Sequence, residues 1–475
     1  MTGLQMPTIA PSIAQVRPLF PDGLVGDVAA YIYYQAPHPN VDIALAGAIG
    51  FLAGICGRKY NTHTGAGLNV YILVLALTGR GKEAIAEGIG KLFDAIKGKA
   101  EAGEPGMPCV VDFKGPGHFA SAEGLLKRLG KSPCWVSIIG EFGIKLRAMA
   151  APNANQTQAA LKAALLDLYN KSGEGKLLDP MVYSDTTKNS LPIASPAVTI
   201  IGESTPEELF SSLDDKVISN GTLPRFLSFY TEAPRPYLNP SVGTPPSFEL
   251  VQSLSDLAAS CLSYAGGPIK VQLDDEAKAH FVELERLATD FINAAHNSVH
   301  TELWNRAYIK ALKLACLLAV GVNRDTPVVT IANAKWATDL VGAQTTLLIA
   351  KYDNGEIGEV AGNEVIQLKD LTRVIREYLQ EGFEIASKYL KGNDLTLRDM
   401  YSKQVFPLSY LQRRLSALSS FKNDRLGATM AIDRALKSLL SNDDIREMPA
   451  AQMVELFGRK PRSFVVSNAH RFINP

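Results

Sequence analysis

Residues 69–83 read NVYILVLALTGRGKE, and this stretch decides the fold predicted for the chain. Its first part, residues 69–77, is a continuous run rich in Val, Ile and Leu, typical of a strand buried on both faces of a parallel sheet. A glycine-rich turn follows at once, and residues 83–97 then place apolar side chains at helical spacing. The stretch therefore predicts a strand, turn and helix unit.

The turn in this unit has the composition of a phosphate-binding P-loop. Glycines let successive backbone amides turn inward around phosphate oxygens, a lysine reaches the outer phosphates, and the N-terminus of the helix favours an anion. The alternative interpretation is a glycine turn closed by a solvated lysine. The predicted cofactor-binding residues, for ATP with Mg²⁺, are Thr78, Gly79, Arg80, Gly81, Lys82 and Glu83.

Two positions depart from the usual P-loop pattern. Ala76 stands where the first glycine is expected, which is a mild change. Glu83 replaces the Ser or Thr that normally binds magnesium, which is a serious one. A carboxylate at this position either binds the metal directly or repels phosphate.

Two further apolar runs, WVSII at residues 135–139 and AVTII at residues 197–201, predict neighbouring strands, and each is followed by Gly and Glu. Glu141 comes after the first run, where P-loop NTPases place acidic residues that hold the metal and activate the attacking water. We therefore predict that Glu141 is both a catalytic residue and a metal ligand. The usual Asp before it is absent, since Gly140 occupies that position, and the alternative is a surface glutamate at a strand end.

The second run leads into Gly202, Glu203, Ser204 and Thr205. A hydroxyl at this edge of the sheet is suited to sensing the third phosphate, so Ser204 and Thr205 are candidate catalytic residues. The alternative is a helix start, because Pro206 and two acidic residues follow immediately. Both interpretations can hold together.

Arg225 lies in NGTLPRFLSFY, where a glycine turn and an arginine precede an apolar strand. An arginine presented in this way can neutralise charge in a phosphoryl-transfer transition state, often from a neighbouring subunit. The alternative is a surface arginine beside an edge strand.

Composition narrows the classes of protein to which the chain can belong. It has 475 residues with 48 Lys plus Arg and 48 Asp plus Glu, so no overall field attracts nucleic acid or an acidic membrane. Its five cysteines form no C-x-x-C pair, which argues against zinc knuckles and secreted disulfide frameworks and favours the cytoplasm. No signal peptide is expected, and the longest apolar stretch, residues 43–56, is shorter than the roughly 20 residues of a membrane span. We expect no membrane association.

The chain is predicted to be a multidomain α/β protein. A helical N-terminal region (1–62) precedes a P-loop NTPase core with a RecA- or AAA+-like parallel sheet (63–235). Five prolines between residues 231 and 247 mark the boundary to a helical lid region (236–350). Residues 351–475 are predicted to form a winged-helix-like domain.

The C-terminal prediction rests on charge and on two short apolar segments. Residues 392–475 carry a net charge of +5, and IREMPA and SFVVS can pair as a two-stranded wing. Nucleic-acid contact is one interpretation of this region, and a protein-docking module is the other.

Taken in order, these motifs resemble a known family. They are the helical preface ALAGAIGFLAGICGRKY, NVYILVLALTGRGKE, the strand with Glu141, IIGESTPEEL, NGTLPRFL and WNRAYIKALKLACLLAV. The chain resembles the helicase-like P-loop ATPases of uncharacterised function found in phages, plasmids and other mobile elements, often fused behind a primase domain. The resemblance implies Lys82 as the phosphate lysine, Glu141 as the acidic catalytic residue, Ser204 or Thr205 as sensors and Arg225 as the arginine finger.

The resemblance also implies a function. We expect an ATP-dependent DNA helicase or translocase that acts as a ring oligomer on single-stranded DNA in replication, with a separate primase or other replication proteins as partners. The departures at Glu83 and Gly140 leave an alternative, a degenerate nucleotide-binding scaffold that recruits replication proteins without turnover. A third interpretation is an ATPase used in conflict between mobile elements.

Overall fold

The computed structural model shows an α/β protein with a parallel sheet and many helices. It describes residues 20–101, 110–150, 154–180, 189, 191–210, 213, 218, 221–240, 242–262, 267–295, 298–353, 363–390, 395–422, 424, 427–468 and 472. The chain divides into two compact units, residues 1–350 and residues 351–475.

The first unit is built on short strands and a larger number of helices. Its strands are β1 (Tyr60–Asn61), β2 (Tyr71–Ala76), β3 (Cys134–Ile139), β4 (Leu177–Leu178), β5 (Ile193–Ala194), β6 (Ala197–Ser204), β7 (Phe226–Thr231), β8 (Ile269–Lys270), β9 (Gln272–Leu273) and β10 (Val328–Val329). Its helices are α1 (Leu24–Gln35), α2 (Val41–Cys56), α3 (Glu83–Glu101), α4 (Ala122–Lys131), α5 (Phe142–Ala150), α6 (Gln156–Asn170), α7 (Pro206–Phe210), α8 (Phe248–Leu262), α9 (Asp275–Ala294), α10 (Ser298–Asn305), α11 (Ala307–Val322) and α12 (Ile331–Asp353).

Four strands form the parallel sheet that positions the site, in the order β3-β6-β2-β7. Strand β6 therefore lies between β2, which leads into the glycine-rich turn, and β3, which leads into Glu141. Leu75 of β2 is level with Ser204 of β6, and Ile139 of β3 is level with Gly202. All six residues of β2 are buried, as expected for a central strand covered on both faces.

Helix α2 covers one face of this sheet at close range. A Cβ atom on its Gly50 would lie 2.4 Å from Cδ1 of Ile201, and one on Gly54 would lie 2.5 Å from Cβ of Val136. The apolar stretch of residues 43–56 is thus part of a buried, tightly packed helix. Across the described residues, no helix has the length and apolar character that crossing a membrane requires.

The second unit has its own hydrophobic core and a small antiparallel sheet. Its helices are α13 (Asn363–Gln380), α14 (Phe383–Ala386), α15 (Leu395–Ser402), α16 (Leu408–Leu415), α17 (Ser419–Lys422), α18 (Ala428–Ser441) and α19 (Ala450–Phe457), and its strands are β11 (Phe406–Pro407), β12 (Ile445–Glu447) and β13 (Ser463–Val466). The segments IREMPA and SFVVS do pair, because Ile445 lies opposite Val466 in an antiparallel ladder. Strand β11 joins β13 on its other side.

Candidate functional site

The turn between β2 and α3 has the backbone of a loop that only glycine adopts readily. Gly79 and Gly81 have φ angles of 73° and 91°, which disfavour residues with a Cβ atom. Gly81 is also packed against the α1–α2 connection, where a Cβ atom would lie 2.3 Å from the carbonyl oxygen of His38. Thr78 and Gly79 are exposed, and the space beside Gly79 is open.

Arg80 holds this turn to the segment that follows β7. Its Nη1 atom donates a hydrogen bond of 2.9 Å to the carbonyl oxygen of Ala233. Two contacts therefore fix the loop, the packing of Gly81 against His38 and the hydrogen bond from Arg80 to Ala233. Thr78 and Gly79 are exposed and remain accessible.

Lys82 bridges two neighbouring strands at their carboxyl ends. Its Nζ atom donates to the carbonyl oxygens of Ala76 at 2.6 Å and Ser204 at 3.2 Å. Burial lowers the pKa of Lys82, and nearby carboxylates, Glu203 first and Glu141 next, act in the opposite direction. The lysine thus lies in the electrostatic field of four carboxylates, those of Glu203, Glu141, Glu83 and Glu208.

Glu203 is the acidic residue most strongly coupled to this lysine, and sequence reasoning missed it. Its Oε1 atom is buried and has no hydrogen-bond partner among the described residues. Burial raises the pKa of Glu203 to about 7, with Lys82 opposing the rise and Glu83 and Glu141 adding to it. A buried carboxyl with a raised pKa beside a specific cation marks a candidate functional residue.

Strand geometry explains why Glu203 and Ser204 face different sides. Successive side chains of a strand alternate between faces. Ile201 contacts α2, so Glu203 shares that face, while a Cβ atom on Gly202 would lie 2.6 Å from the Phe142 ring on the opposite face. The signal for Glu203 was present in the sequence, because Gly and Glu follow both Ile139 and Ile201.

Ser204 and Thr205 are engaged in starting α7. The Ser204 hydroxyl donates to the Glu208 carboxylate at 3.2 Å, and the Thr205 hydroxyl accepts from the Glu208 backbone amide at 3.3 Å. Pro206 is the first residue of the helix. The helix-start interpretation is confirmed, whereas a sensor role for either hydroxyl stays a prediction.

Glu141 and Glu83 complete the acidic set at the carboxyl edge of the sheet. Glu141 follows β3 with a φ angle of 51°, a left-handed conformation that is uncommon outside glycine and often occurs at functional sites. Its side chain is exposed, and it is close enough to influence both Lys82 and Glu203. Glu83 is the first residue of α3 and is also exposed.

These carboxylates suit a magnesium ion that arrives with a nucleotide. Among the residues that the structure describes, no three acidic, histidine or cysteine side chains form a complete metal cage. Magnesium at phosphate sites is commonly held by one or two carboxylates together with substrate phosphates, so a full cage is not required. Glu83 and Glu141 fit that donor set, and the N-terminus of α3 favours the phosphates themselves.

Arg225 lies at the opposite edge of the sheet from Lys82. It directly precedes β7, whose first residue, Phe226, is level with Tyr71 at the start of β2. The length of β2, at about 3.3 Å per residue, places the two edges roughly 16 Å apart. Within one chain the structure therefore does not bring Arg225 to the glycine-rich turn, because it precedes its strand while Lys82 follows one.

Arg225 is also held inside the chain, where it is only 7% exposed. Its Nη1 atom donates to the carbonyl oxygen of Gly221, and its guanidinium lies 5.9 Å from the Tyr169 ring centroid. Burial, and then the neighbouring Arg306, lower its pKa. Any contact with a nucleotide would require this arginine to leave these partners.

Two buried lysines of α11 stabilise the same amino edge. Lys310 donates to the carbonyl oxygen of Phe226 at 3.2 Å, and Lys313 donates to the carbonyl and side-chain oxygens of Asn69 at 3.0 and 2.8 Å. Burial lowers their pKa values, to about 8 for Lys310 and about 7 for Lys313. These lysines tie α11 to the starts of β7 and β2, which is a structural role.

Comparisons with known proteins do not name a family. No family model matches the chain, and no curated protein matches it. A solved structure described as Drosophila ORC bound to DNA aligns over 100% of this chain and 96% of its own, with 11% identity and a TM-score of 0.21. A TM-score this low establishes no shared fold.

Proposed function

We propose that the chain is a P-loop ATPase that acts as a DNA helicase or translocase in the replication of a phage or mobile element. The observation that carries the ATPase proposal is the meeting of Lys82, Glu203 and Glu141 at one edge of a parallel sheet, beside a glycine turn that opens a helix. Ligands of open α/β sheets bind outside the carboxyl ends of the strands, which is where these residues lie.

Each residue has a distinct task in this proposal. Backbone amides at Gly79 and Gly81 and the amine of Lys82 bind the phosphates of ATP. Glu83 and Glu141 hold a magnesium ion whose charge offsets that of the phosphates. Glu141 also accepts a proton from the attacking water, and Glu203, on the strand between Lys82 and Glu141, helps to orient that water.

The DNA-related part of the proposal has separate support. The ordered motifs resemble a helicase-like family, and residues 392–475 carry a net charge of +5. The second unit combines helices with a three-stranded antiparallel sheet, as a winged-helix-like domain would. We propose single-stranded DNA as its ligand, a primase or other replication protein as a partner, and the cytoplasm as its location.

We also propose a ring oligomer, in which Arg225 would leave its partners Gly221 and Tyr169 to reach a nucleotide on the next copy. Because Arg225 and Lys82 lie at opposite edges of one sheet, a head-to-tail contact between copies is the arrangement that brings the arginine of one copy to the phosphates of the next. The mass of the protein in size-exclusion chromatography with light scattering tests this directly. The mass of a ring in the presence of ATP would support the helicase or translocase. The mass of a monomer, unchanged by ATP, would support the scaffold.

The scaffold without turnover remains the second candidate because of a specific observation. The amine of Lys82 already has two backbone acceptors, and Glu83 adds a negative charge where phosphate would bind. In a scaffold the lysine would keep these acceptors, nucleotide would not change the mass of the protein in solution, and ATP would not be hydrolysed.

Replacing Glu203 by alanine is expected to lower the turnover number for ATP at least tenfold, because the attacking water loses one of its two orienting carboxylates. ATP hydrolysis under saturating ATP measures this effect. Glu207→Ala, which removes an exposed carboxylate four residues further on, is the matched control and should match wild type. Equal turnover in Glu203→Ala and Glu207→Ala would remove Glu203 from the site.

Mixing two inactive variants tests the shared site. Lys82→Ala and Arg225→Ala subunits are each expected to hydrolyse ATP poorly alone, whereas mixed rings contain some sites with an intact lysine and an intact arginine from different subunits. Turnover should therefore reappear and peak near equal amounts. Circular dichroism establishes that Arg225→Ala folds, since this arginine is buried. If both variants are folded and inactive and no ratio restores turnover, the arginine does not act between subunits.

A further inference from the structure

A second cavity opens beside the end of β3, on the face of the sheet opposite α2. It has a volume of about 360 Å³ and lies between β3, α5, α6 and the loop before α4. Its wall includes Ile139, the last residue of β3, and Phe142, the residue directly after Glu141. Its size falls in the range of roughly 300 to 1,000 Å³ that small organic ligands occupy.

This cavity is distinct from the phosphate site. The glycine-rich turn follows β2, and β3 lies two strands away, a separation of roughly 10 Å at about 4.8 Å per strand. The two sites also use different faces, because Glu203 lies on the α2 face and Phe142 on the other. A ligand in this cavity would therefore be a different molecule from the nucleotide proposed to bind at Lys82.

The interior of the cavity suits a flat apolar ring. The half-buried Phe119 contributes an aromatic ring, and the buried Phe142, Met149 and Leu161 form the rest of the apolar lining. Two carboxamides also line the cavity, those of the exposed Asn155 and the half-buried Gln158. Their oxygens cap α6, accepting the backbone amides of Gln158 at 2.9 Å and Asn155 at 3.1 Å, so their amino groups are the parts that can donate to a ligand.

The charged residue in the cavity lining is a lysine. Lys145 lines the cavity together with the imidazole of His118, and no acidic residue is among the described residues that do. Burial lowers the pKa of Lys145. An apolar, aromatic interior with amide donors and a basic neighbour matches a heterocyclic ring attached to an anionic backbone, the pattern by which proteins bind single-stranded nucleic acids.

We propose that this cavity binds a base of a single-stranded nucleic acid, with the phosphates of the same strand at Lys145 and His118. The inference rests on the proposed function and names the place where the strand enters the ATPase unit. Because Ile139 and Phe142 flank Gly140 and Glu141, a base against Phe142 acts directly on the segment that holds Glu141 in its left-handed conformation. Strand binding is thereby coupled to the carboxylate that activates water.

The first test fills the cavity with a larger side chain and measures the binding of oligonucleotides. Binding of a fluorescent oligothymidine is compared with binding of an equally long oligonucleotide of abasic spacers, which keeps the phosphates and lacks the bases. Wild type should bind the oligothymidine about tenfold more tightly, since one stacked base contributes roughly 1 to 3 kcal/mol. Ala148→Trp, in the cavity wall, should lose this preference, while Ile144→Trp, on the same helix but 51% exposed, should keep it.

Photocrosslinking tests the same inference without a substitution. An oligonucleotide with one 5-iodouracil is crosslinked to the wild-type protein, and the modified peptide is identified by mass spectrometry. Crosslinks at Phe119, Phe142 or Met149 are expected. Crosslinks confined to residues 351–475, or an unchanged preference in a folded Ala148→Trp protein, would overturn the inference.

The tests of the cavity and the test of the proposed ATPase function can fail independently of each other. ATP hydrolysis by wild type without nucleic acid reports on the phosphate site alone. Hydrolysis combined with equal binding of the two oligonucleotides would overturn the cavity and leave the ATPase standing. A base preference that depends on Ala148, without any hydrolysis, would support the cavity and contradict the ATPase.

Discussion

Glu141→Gln is expected to stop ATP turnover while leaving ATP binding intact. The substitution keeps the size of the side chain and removes the charge that accepts a proton from water. General-base catalysis contributes about 10²- to 10⁴-fold, so the turnover number should fall at least 100-fold. The dissociation constant for ATP, measured with a fluorescent analogue, should change by no more than about twofold, because Lys82, the loop amides and Glu83 remain and the amide oxygen of the new side chain can still coordinate magnesium.

The control for this change is Glu123→Gln, which removes a partly exposed carboxylate paired with Lys127 on α4. Exposed pairs of this kind contribute about 0 to 1 kcal/mol, so neither stability nor turnover should change much. A Glu141→Gln protein that turns over ATP at the wild-type rate would show that Glu141 is a surface glutamate at a strand end.

Lys82→Ala is expected to remove ATP binding, and turnover with it. A hydrogen bond to a charged group contributes about 1.5 to 3 kcal/mol, which corresponds to a dissociation constant roughly 10- to 150-fold higher. Binding also stabilises the folded state by mass action, so ATP with Mg²⁺ should raise the melting temperature of wild type and leave that of Lys82→Ala unchanged.

The loss of structural hydrogen bonds in Lys82→Ala needs its own control. The amine joins the carbonyl oxygens of Ala76 and Ser204, and such bonds contribute about 1 kcal/mol each to stability. The unliganded variant should therefore melt a few degrees below wild type and remain folded. Lys91→Ala, on the exposed side of the same helix, should bind ATP normally. Normal binding by Lys82→Ala would show that the lysine only closes a glycine turn.

The α/β class and the backbone conformation of the glycine-rich turn could be predicted because they are local. A run such as residues 70–76 has the composition typical of a central strand of a parallel sheet, and the structure buries all of β2. Gly79 and Gly81 were singled out for backbone conformations that other residues rarely adopt, and both have positive φ angles.

The sequence places Glu203 after an apolar run, as it does Glu141, but it does not show on which face of the strand the Glu203 side chain lies. Glu203, Ser204 and Thr205 are adjacent and all polar, and strand alternation sends neighbours to opposite sides. Only the contact of Ile201 with α2 shows that Glu203 faces the loop and that Ser204 faces Glu208. The edge occupied by Arg225 likewise depends on the direction of β7 beside β2.

The cavity beside β3 could not be predicted from the sequence, for a different reason. Its lining comes from residues 118–165, spread over a loop, a strand end and two helices. No periodicity or motif marks such a set, because the members share a location in space and not a spacing in the chain. Phe142 and Met149 have the appearance of ordinary core residues in the sequence.

Magnesium-dependent ATP hydrolysis, measured with and without single-stranded DNA, tests the central claim most directly. Wild type and Lys82→Ala are assayed side by side, after circular dichroism has established that both are folded. The account predicts turnover by wild type that requires Mg²⁺, increases with DNA and disappears in Lys82→Ala. A folded wild-type protein with no turnover above that of Lys82→Ala would contradict it and identify the chain as a scaffold.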